Sequence, residues 1–243
     1  MMLGTALAVL AITAVGASAA QAATEGPFYK VAGVRLAAAE TKNVSGKGAG
    51  YQYGPGLGIV VSCTHTEIAK GSKFLGSSGA NASGSEQTIA SSGCTVQNLP
   101  GCRVEGEKVT LNPLKGTLGF ANASRTGKLL ELFKPVTGKI LASIQFTGTR
   151  AGEECSVSKL NLEGSTIADV GTYTSPVEVG TEKQASIGAL VFPTTKVKAL
   201  WTESAGKLTE VKAKLEDSGV VASMSGESQL EAEGLPEWGV FTK

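Results

Sequence analysis

The chain is poor in the side chains that acid–base and nucleophilic chemistry need. It has one histidine, His65, and only two aspartates, Asp169 and Asp217. A Ser-His-Asp triad would have to use His65 as its base, yet no G-x-S-x-G elbow is present to raise a serine into reach, so His65 is assigned a structural or surface role. Ser156-Val157-Ser158-Lys159 and Ser204-Ala205-Gly206-Lys207 have the S-x-x-K spacing of a serine nucleophile and its lysine. The first falls in a strand-like run rather than on a helix, and the S-D-N and K-T-G partners are absent. Glutamates are the remaining resource, with Glu153 and Glu154 just ahead of Cys155. Two of them about 5 to 10 Å apart across a cleft would suffice for glycoside hydrolysis. The four cysteines contain no C-x2-C pair, and no Walker loop, dinucleotide fingerprint or EF-hand occurs, so neither a metal nor a cofactor is expected. With 22 Lys+Arg against 21 Asp+Glu there is no electrostatic footprint for nucleic acid.

Stacking is the other chemistry on offer. Tyr51 and Tyr53 lie in Gly46 to Gly58, GKGAGYQYGPGLG, whose glycine spacing rules out a helix and reads as a loop. Together with Trp201 and Trp238 they are the candidate ligand contacts, an extracellular glycan or cell-surface component being the partner that suits exposed aromatic rings. Two tryptophans and four tyrosines are few for a sugar platform.

The elements that must position these residues read as strands. Gly is abundant at 32 residues and aromatics make up 5%, which suits short strands and tight turns better than long helices. Ile59, Val61 and Cys63 alternate with smaller residues, and the same parity carries on to His65 and Glu67 unless a bulge intervenes; Leu114, Leu118 and Phe120 share a face, as do Ile140, Ala142, Ile144 and Phe146. Phe28, Tyr29 and Val31 open a strand or hairpin, Gly71 to Glu86 reads as an exposed loop, and Val197, Ala199 and Trp201 alternate with lysines. Val211, Ala213 and Leu215 read as strand, although Leu208, Val211 and Leu215 also fit a helix face. Strand-like runs at intervals of about ten residues predict one all-β domain over 23–243, an antiparallel β-sandwich or jelly-roll-like fold, with a β-solenoid as the alternative. Cys94 and Cys102 flank Pro100-Gly101, so Thr88 to Leu111 is expected to be a stapled hairpin, with Cys94 bonded to Cys102 and Cys63 to Cys155.

Residues 1–22 carry no charged side chain and end in Ala20-Gln21-Ala22, the small-x-small pattern of a secretory signal, so the mature chain is expected to be secreted or on the cell surface. An uncleaved segment would instead be a membrane anchor, the one route to the bilayer expected for this chain. The Ala-rich start, the Phe28-Tyr29-Lys30-Val31-Ala32-Gly33-Val34-Arg35-Leu36 segment, Cys63-Thr64, Gly93-Cys94, Asn112-Pro113-Leu114-Lys115-Gly116 and Glu237-Trp238-Gly239 together resemble a group of exported all-β proteins of high-GC Gram-positive bacteria. That resemblance implies export and disulfides and brings no activity with it. A non-enzymatic structural or ligand-binding protein is therefore expected, and a secreted glycoside hydrolase using paired glutamates is the alternative. Mass spectrometry of protein recovered from culture should find a chain beginning near Ala23; an intact Met1 in the extracellular fraction would defeat the cleavage.

Overall fold

The computed structural model describes residues 25–242 apart from 57, 80, 126–127, 151, 173–174, 177–186, 193–198 and 235; residues 1–22, expected to be a secretory signal, lie outside them. The strands run β1 Phe28–Val31, β2 Val34–Arg35, β3 Thr41–Gly56, β4 Ile59–Ser62, β5 His65–Leu75, β6 Gly84–Gln87, β7 Ile89–Ser92 and β8 Thr95–Gln97. They continue with β9 Cys102–Val104, β10 Lys108–Leu111, β11 Leu114–Phe120, β12 Leu129–Pro135, β13 Ile140–Gly148, β14 Lys159–Gly164, β15 Thr166–Thr172 and β16 Ser175–Pro176. The last are β17 Ile187–Phe192, β18 Ala199–Ser204, β19 Lys207–Lys212, β20 Leu215–Asp217, β21 Val220–Val221, β22 Ser223–Ala232 and β23 Trp238–Phe241. Among the described residues there is no α-helix, and no helix long and apolar enough to cross a membrane.

Every pairing is antiparallel. A β-solenoid stacks its coils in parallel, so that alternative is ruled out in favour of the antiparallel all-β fold. The ladder follows β3, β5, β6, β11, β12, β15, β17 and β22 and returns to β3, so these strands close into a ring whose inward faces share one core. From β5 a second run, β7, β10, β13, β14 and β20, branches away from the ring. The terminal strands form a small separate sheet, with β1 between β2 and β23. Its Tyr29 stacks on Phe74 of β5 at 4.1 Å between ring centres, and Trp238 packs against the same ring at 4.5 Å. This sheet docks into the core through its aromatic rings.

Most expected alternations hold. Ile59, Val61 and Cys63 are buried, as are Leu114, Leu118 and Phe120, and Ala142, Ile144 and Phe146. Phe28 to Arg35 is a hairpin of β1 and β2, and Lys207 to Lys212 is strand rather than helix. At Thr64 the chain breaks between β4 and β5, the parity reverses, and His65 and Glu67 face outward. Trp201 is likewise one residue out of phase: its neighbour Leu200 is the fully buried residue, while Trp201 is half-buried against the core.

Two sequence expectations need correction. Gly46 to Gly56 is no loop but part of the 16-residue β3, and the run Gly71 to Glu86 includes the end of β5 and most of β6. The stapled hairpin is also absent, because β8 pairs with β4 while β9 pairs with β13. Pro100-Gly101 is a crossing between two ladders. The Ser62–Thr95 register places Cys63 beside Cys94, whose Cα atoms are 3.9 Å apart, and these two form a disulfide. The Gly148–Cys102 register brings the chain after β13 back past β9, and Cys102 bonds Cys155. The disulfides thus span 31 and 53 residues, close enough in length that chain entropy assigns each about 4 kcal/mol. A non-reducing peptide map should show these two links, and Cys63→Ser/Cys94→Ser and Cys102→Ser/Cys155→Ser should lose stability equally to within about 1 kcal/mol.

Candidate functional site

Three neighbouring strands, β22, β3 and β5, build a trough on the outer side of the sheet, with a volume of about 650 Å³. Its shape follows from the sequence Ser45-Gly46-Lys47-Gly48-Ala49 on the middle strand. Small residues there leave the floor low, while the flanking strands carry long side chains: Glu227, Gln229 and Glu231 on β22, and His65, Glu67 and Lys70 on β5. Register breaks at Val44/Gly46 toward β5 and at Glu227/Ser228 toward β22 bend the floor strand. Gly46 and Gly48 permit that bend, since a Cβ on either would lie 2.1 Å from the carbonyl oxygen of Gln229 or Glu227. Any side chain at these two places would push β22 away.

Across the trough, Lys47 stands in register with Gln229 on one side and Glu67 on the other, and Ser45 with Glu231. Lys47, Glu67, Lys70 and His65 are exposed, and Glu227, Gln229 and Glu231 are half-buried. The charges here do not pair with one another. Lys73, farther along β5, holds Glu86 at 3.0 Å, whereas no ion pair joins Lys47 or Lys70 to Glu67, Glu227 or Glu231 among the described residues. One wall, from β22, is rich in acceptors; the floor and the other wall add ammonium donors. His65 closes one end, where its Nδ1 lies 2.8 Å from the Thr64 hydroxyl oxygen. No three acidic, histidine or cysteine side chains cluster as metal ligands among the described residues.

Of the aromatic residues singled out as ligand contacts, Tyr51, Tyr53 and Trp238 are buried, which corrects the reading for these three, and Trp201 lies outside the trough. Tyr51 and Tyr53 have no exposed surface, and Trp238 is 2% exposed. A ring without a free face cannot stack on a ligand. Instead each polar tip is satisfied inside: the Tyr51 hydroxyl is 2.7 Å from Ser228 Oγ, that of Tyr53 is 2.8 Å from Ser91 Oγ, and the Trp238 indole donates to the Leu230 carbonyl at 3.2 Å. Burial pushes both tyrosine hydroxyls well above the usual phenol range, so they stay neutral. The alternation of β3 beyond Gly50 puts these rings inward, whereas Trp201 lies half-buried beside Phe120 on another part of the sheet, away from the trough. Neither S-x-x-K run forms a site. One leads from a loop into β14, and the other is the turn from β18 to β19, with Ser204 opposite Lys207.

Compared with known proteins, the chain matches no family model, no curated protein and no solved structure. The trough therefore has to be read from its own residues. Sequence reasoning missed them: it gave His65 a structural or surface role and placed Glu67 on the face of Cys63, and the available signals were the Glu227-x-Gln229-x-Glu231 alternation and the small residues around Lys47. Tyr53→Phe should lower stability by about 1 kcal/mol, the value of one buried hydrogen bond. It should leave binding in the trough unchanged, and a titration comparing the two proteins checks both.

Proposed function

We propose that this is an exported, non-enzymatic β protein that holds a polar, hydroxyl-rich ligand, a glycan of the extracellular space or cell surface, in the trough between β22 and β5. The observation that carries this reading is the set of unpaired acids, amines and amide spread over three strands around one concave floor. Sugar hydroxyls both donate and accept, which suits a wall of carboxylates facing ammonium groups. Aromatic stacking plays no part, since the trough lining contains no Phe, Tyr or Trp. Two disulfides support residence outside the cytoplasm, where such bonds persist. The signal-like residues 1–22 support export.

A secreted hydrolase is the second reading, favoured by one observation: Glu67, Glu227 and Glu231 all line the same trough. Against it, a glycosidase acid is kept protonated near neutral pH by an apolar, water-poor setting, and these three carboxyls are open to water or half-buried. The fully covered glutamates Glu131 and Glu203 are not among the residues that line the trough.

A glycan array followed by calorimetry tests both readings. Glu231→Gln and Lys47→Met should each weaken binding about tenfold, the value of one charge-assisted hydrogen bond. Neither should move the unfolding midpoint appreciably, because these side chains support nothing in the fold. Release of reducing ends from the bound glycan, lost in Glu67→Gln or Glu227→Gln, would replace the binding protein with the hydrolase.

A further inference from the structure

We propose that the folded protein stores a proton in its core on Glu131, and that this proton is what lets the two terminal strands close over the sheet. Glu131 sits mid-strand in β12, among Leu129, Leu130, Leu132 and Phe133, all buried, and is itself 0% exposed. Its carboxyl occupies the space that a side chain at residue 116 would fill. A Cβ on Gly116 would lie 2.1 Å from Glu131 Oε1 and 2.5 Å from Ser85 Oγ, so Gly116 and the carboxyl are an obligatory pair.

The hydrogen-bond inventory shows what is missing. Tyr29 donates its hydroxyl to Glu131 Oε2 at 3.0 Å, and Gln87 Nε2 donates to Ser85 Oγ at 3.3 Å. Two buried oxygens of this one cluster, Glu131 Oε1 and Gln87 Oε1, have no partner. Both are acceptors, so an ionised Glu131 places in the core a charge that no cation faces among the described residues, on a carboxyl with one oxygen outside hydrogen-bond reach. A proton on Oε1 removes the charge and supplies a donor to a pocket with acceptors to spare.

The groups facing Glu131 leave no other way to neutralise it. They are Tyr29 from β1, Ser85 and Gln87 from β6, Gly116 and Leu118 from β11, and Ala168 in register from β15. Phe74 and Trp238 lie behind Tyr29. Tyr29 alone among these titrates, and burial, followed by the carboxyl beside it, holds its hydroxyl well above the phenol range. Asp169, two residues beyond Ile167 on β15, is held by Lys128 at 3.1 Å. Burial raises the Glu131 carboxyl from 4.5 to about 7, against the opposing effect of the Ser85 and Tyr29 hydroxyls beside it.

The direction of the pH effect follows. Below about 4.5 the folded and unfolded chains both carry the proton, and the stability it contributes is fully present. As pH rises toward 7 the unfolded chain releases it while the folded chain keeps it, so stability falls; above about 7 the loss is complete. Because Tyr29 belongs to β1, and β1 pairs with β23 from Phe28–Phe241 to Val31–Trp238, the charge is felt first by the terminal strands.

The test uses the mature, oxidised chain. From pH 4.5 to 8.5 the folding equilibrium should weaken about 150-fold in urea titrations, half of the full shift in the carboxyl expressed as an equilibrium ratio because the unfolded carboxyl is already half ionised at pH 4.5. Amides of β1 and β23, corrected for intrinsic exchange, should lose protection ahead of those in β3. Glu131→Gln, which supplies a permanent amide donor, should abolish the pH step and be the more stable protein at pH 8.5. Retention of the full step in Glu131→Gln would overturn the proposal. Should that variant fail to fold, the carboxyl carbon resonance of Glu131 in the wild-type protein decides: titration near 7 supports the stored proton, and titration near 4.5 overturns it.

Discussion

One strand, β3, must be hydrogen-bonded along both edges by partners that diverge, and most of the structure depends on how it does so. Its whole length from Val44 to Gly54 pairs with β22, while the opposite edge is shared between β5 near its start and β4 toward its end. A straight, fully dressed strand could not serve two such neighbours. Glycines and register breaks let it bend. The bend has consequences on each side: outside, it leaves the trough; inside, it turns Tyr51 and Tyr53 into the core, where their hydroxyls meet Ser228 and Ser91. The Cys63 amide then bonds the Tyr51 carbonyl at 2.9 Å, which sets the end of β4 and with it the disulfide to Cys94.

That strand also shows where sequence reading succeeds and fails. Period-two alternation is a local signal, and wherever it was strong, as in Ile59 to Cys63 or Leu114 to Phe120, both the strand and its buried face were legible. Glycine is silent in that code because it has no side chain to be in or out. Gly46 to Gly56 therefore looked like a loop although most of its backbone is paired with neighbouring strands. The disulfides failed for a different reason. Local closure around Pro100-Gly101 presumed that β8 and β9 pair with each other, but strand partners are chosen by long-range register, and both strands found better ones in β4 and β13. The polar residues of the trough come from three strands, two adjacent in the chain and one near its end, so no short motif could announce them. Glu131 carried a fainter signal: a single acid inside Leu-Leu-Glu-Leu-Phe, in a strand with neighbours on both sides.

Two buried glutamates are accommodated in opposite ways. Glu203 on β18, with its side chain fully covered, is met by a two-pronged bond from Arg125 at 2.9 and 3.0 Å, and so remains a charge with its counter-charge beside it. The pair ties the connection between β11 and β12 to the β18–β19 hairpin. Among the described residues no cation pairs with Glu131, which meets the Tyr29 phenol and has the Ser85 hydroxyl beside it. A carboxyl in that position is tolerable as a neutral acid, and the same tyrosine that binds it is the anchor of the terminal sheet. Charge is thus kept at the rim and excluded from the centre.

The order in which the chain can close is bounded by the same geometry. Both disulfide loops lie between Cys63 and Cys155, so the staples can form before β17, β22 and β23 have been delivered. The pairings of β22 with β3 and of β23 with β1 join opposite ends of the chain and carry the largest loop-closure cost. By shortening the open chain between β4 and β14, the staples reduce the entropy still to be lost when β22 arrives. The acidic wall of the trough is therefore present only when the C-terminal third is in place, and the site belongs to the finished fold rather than to any part of it.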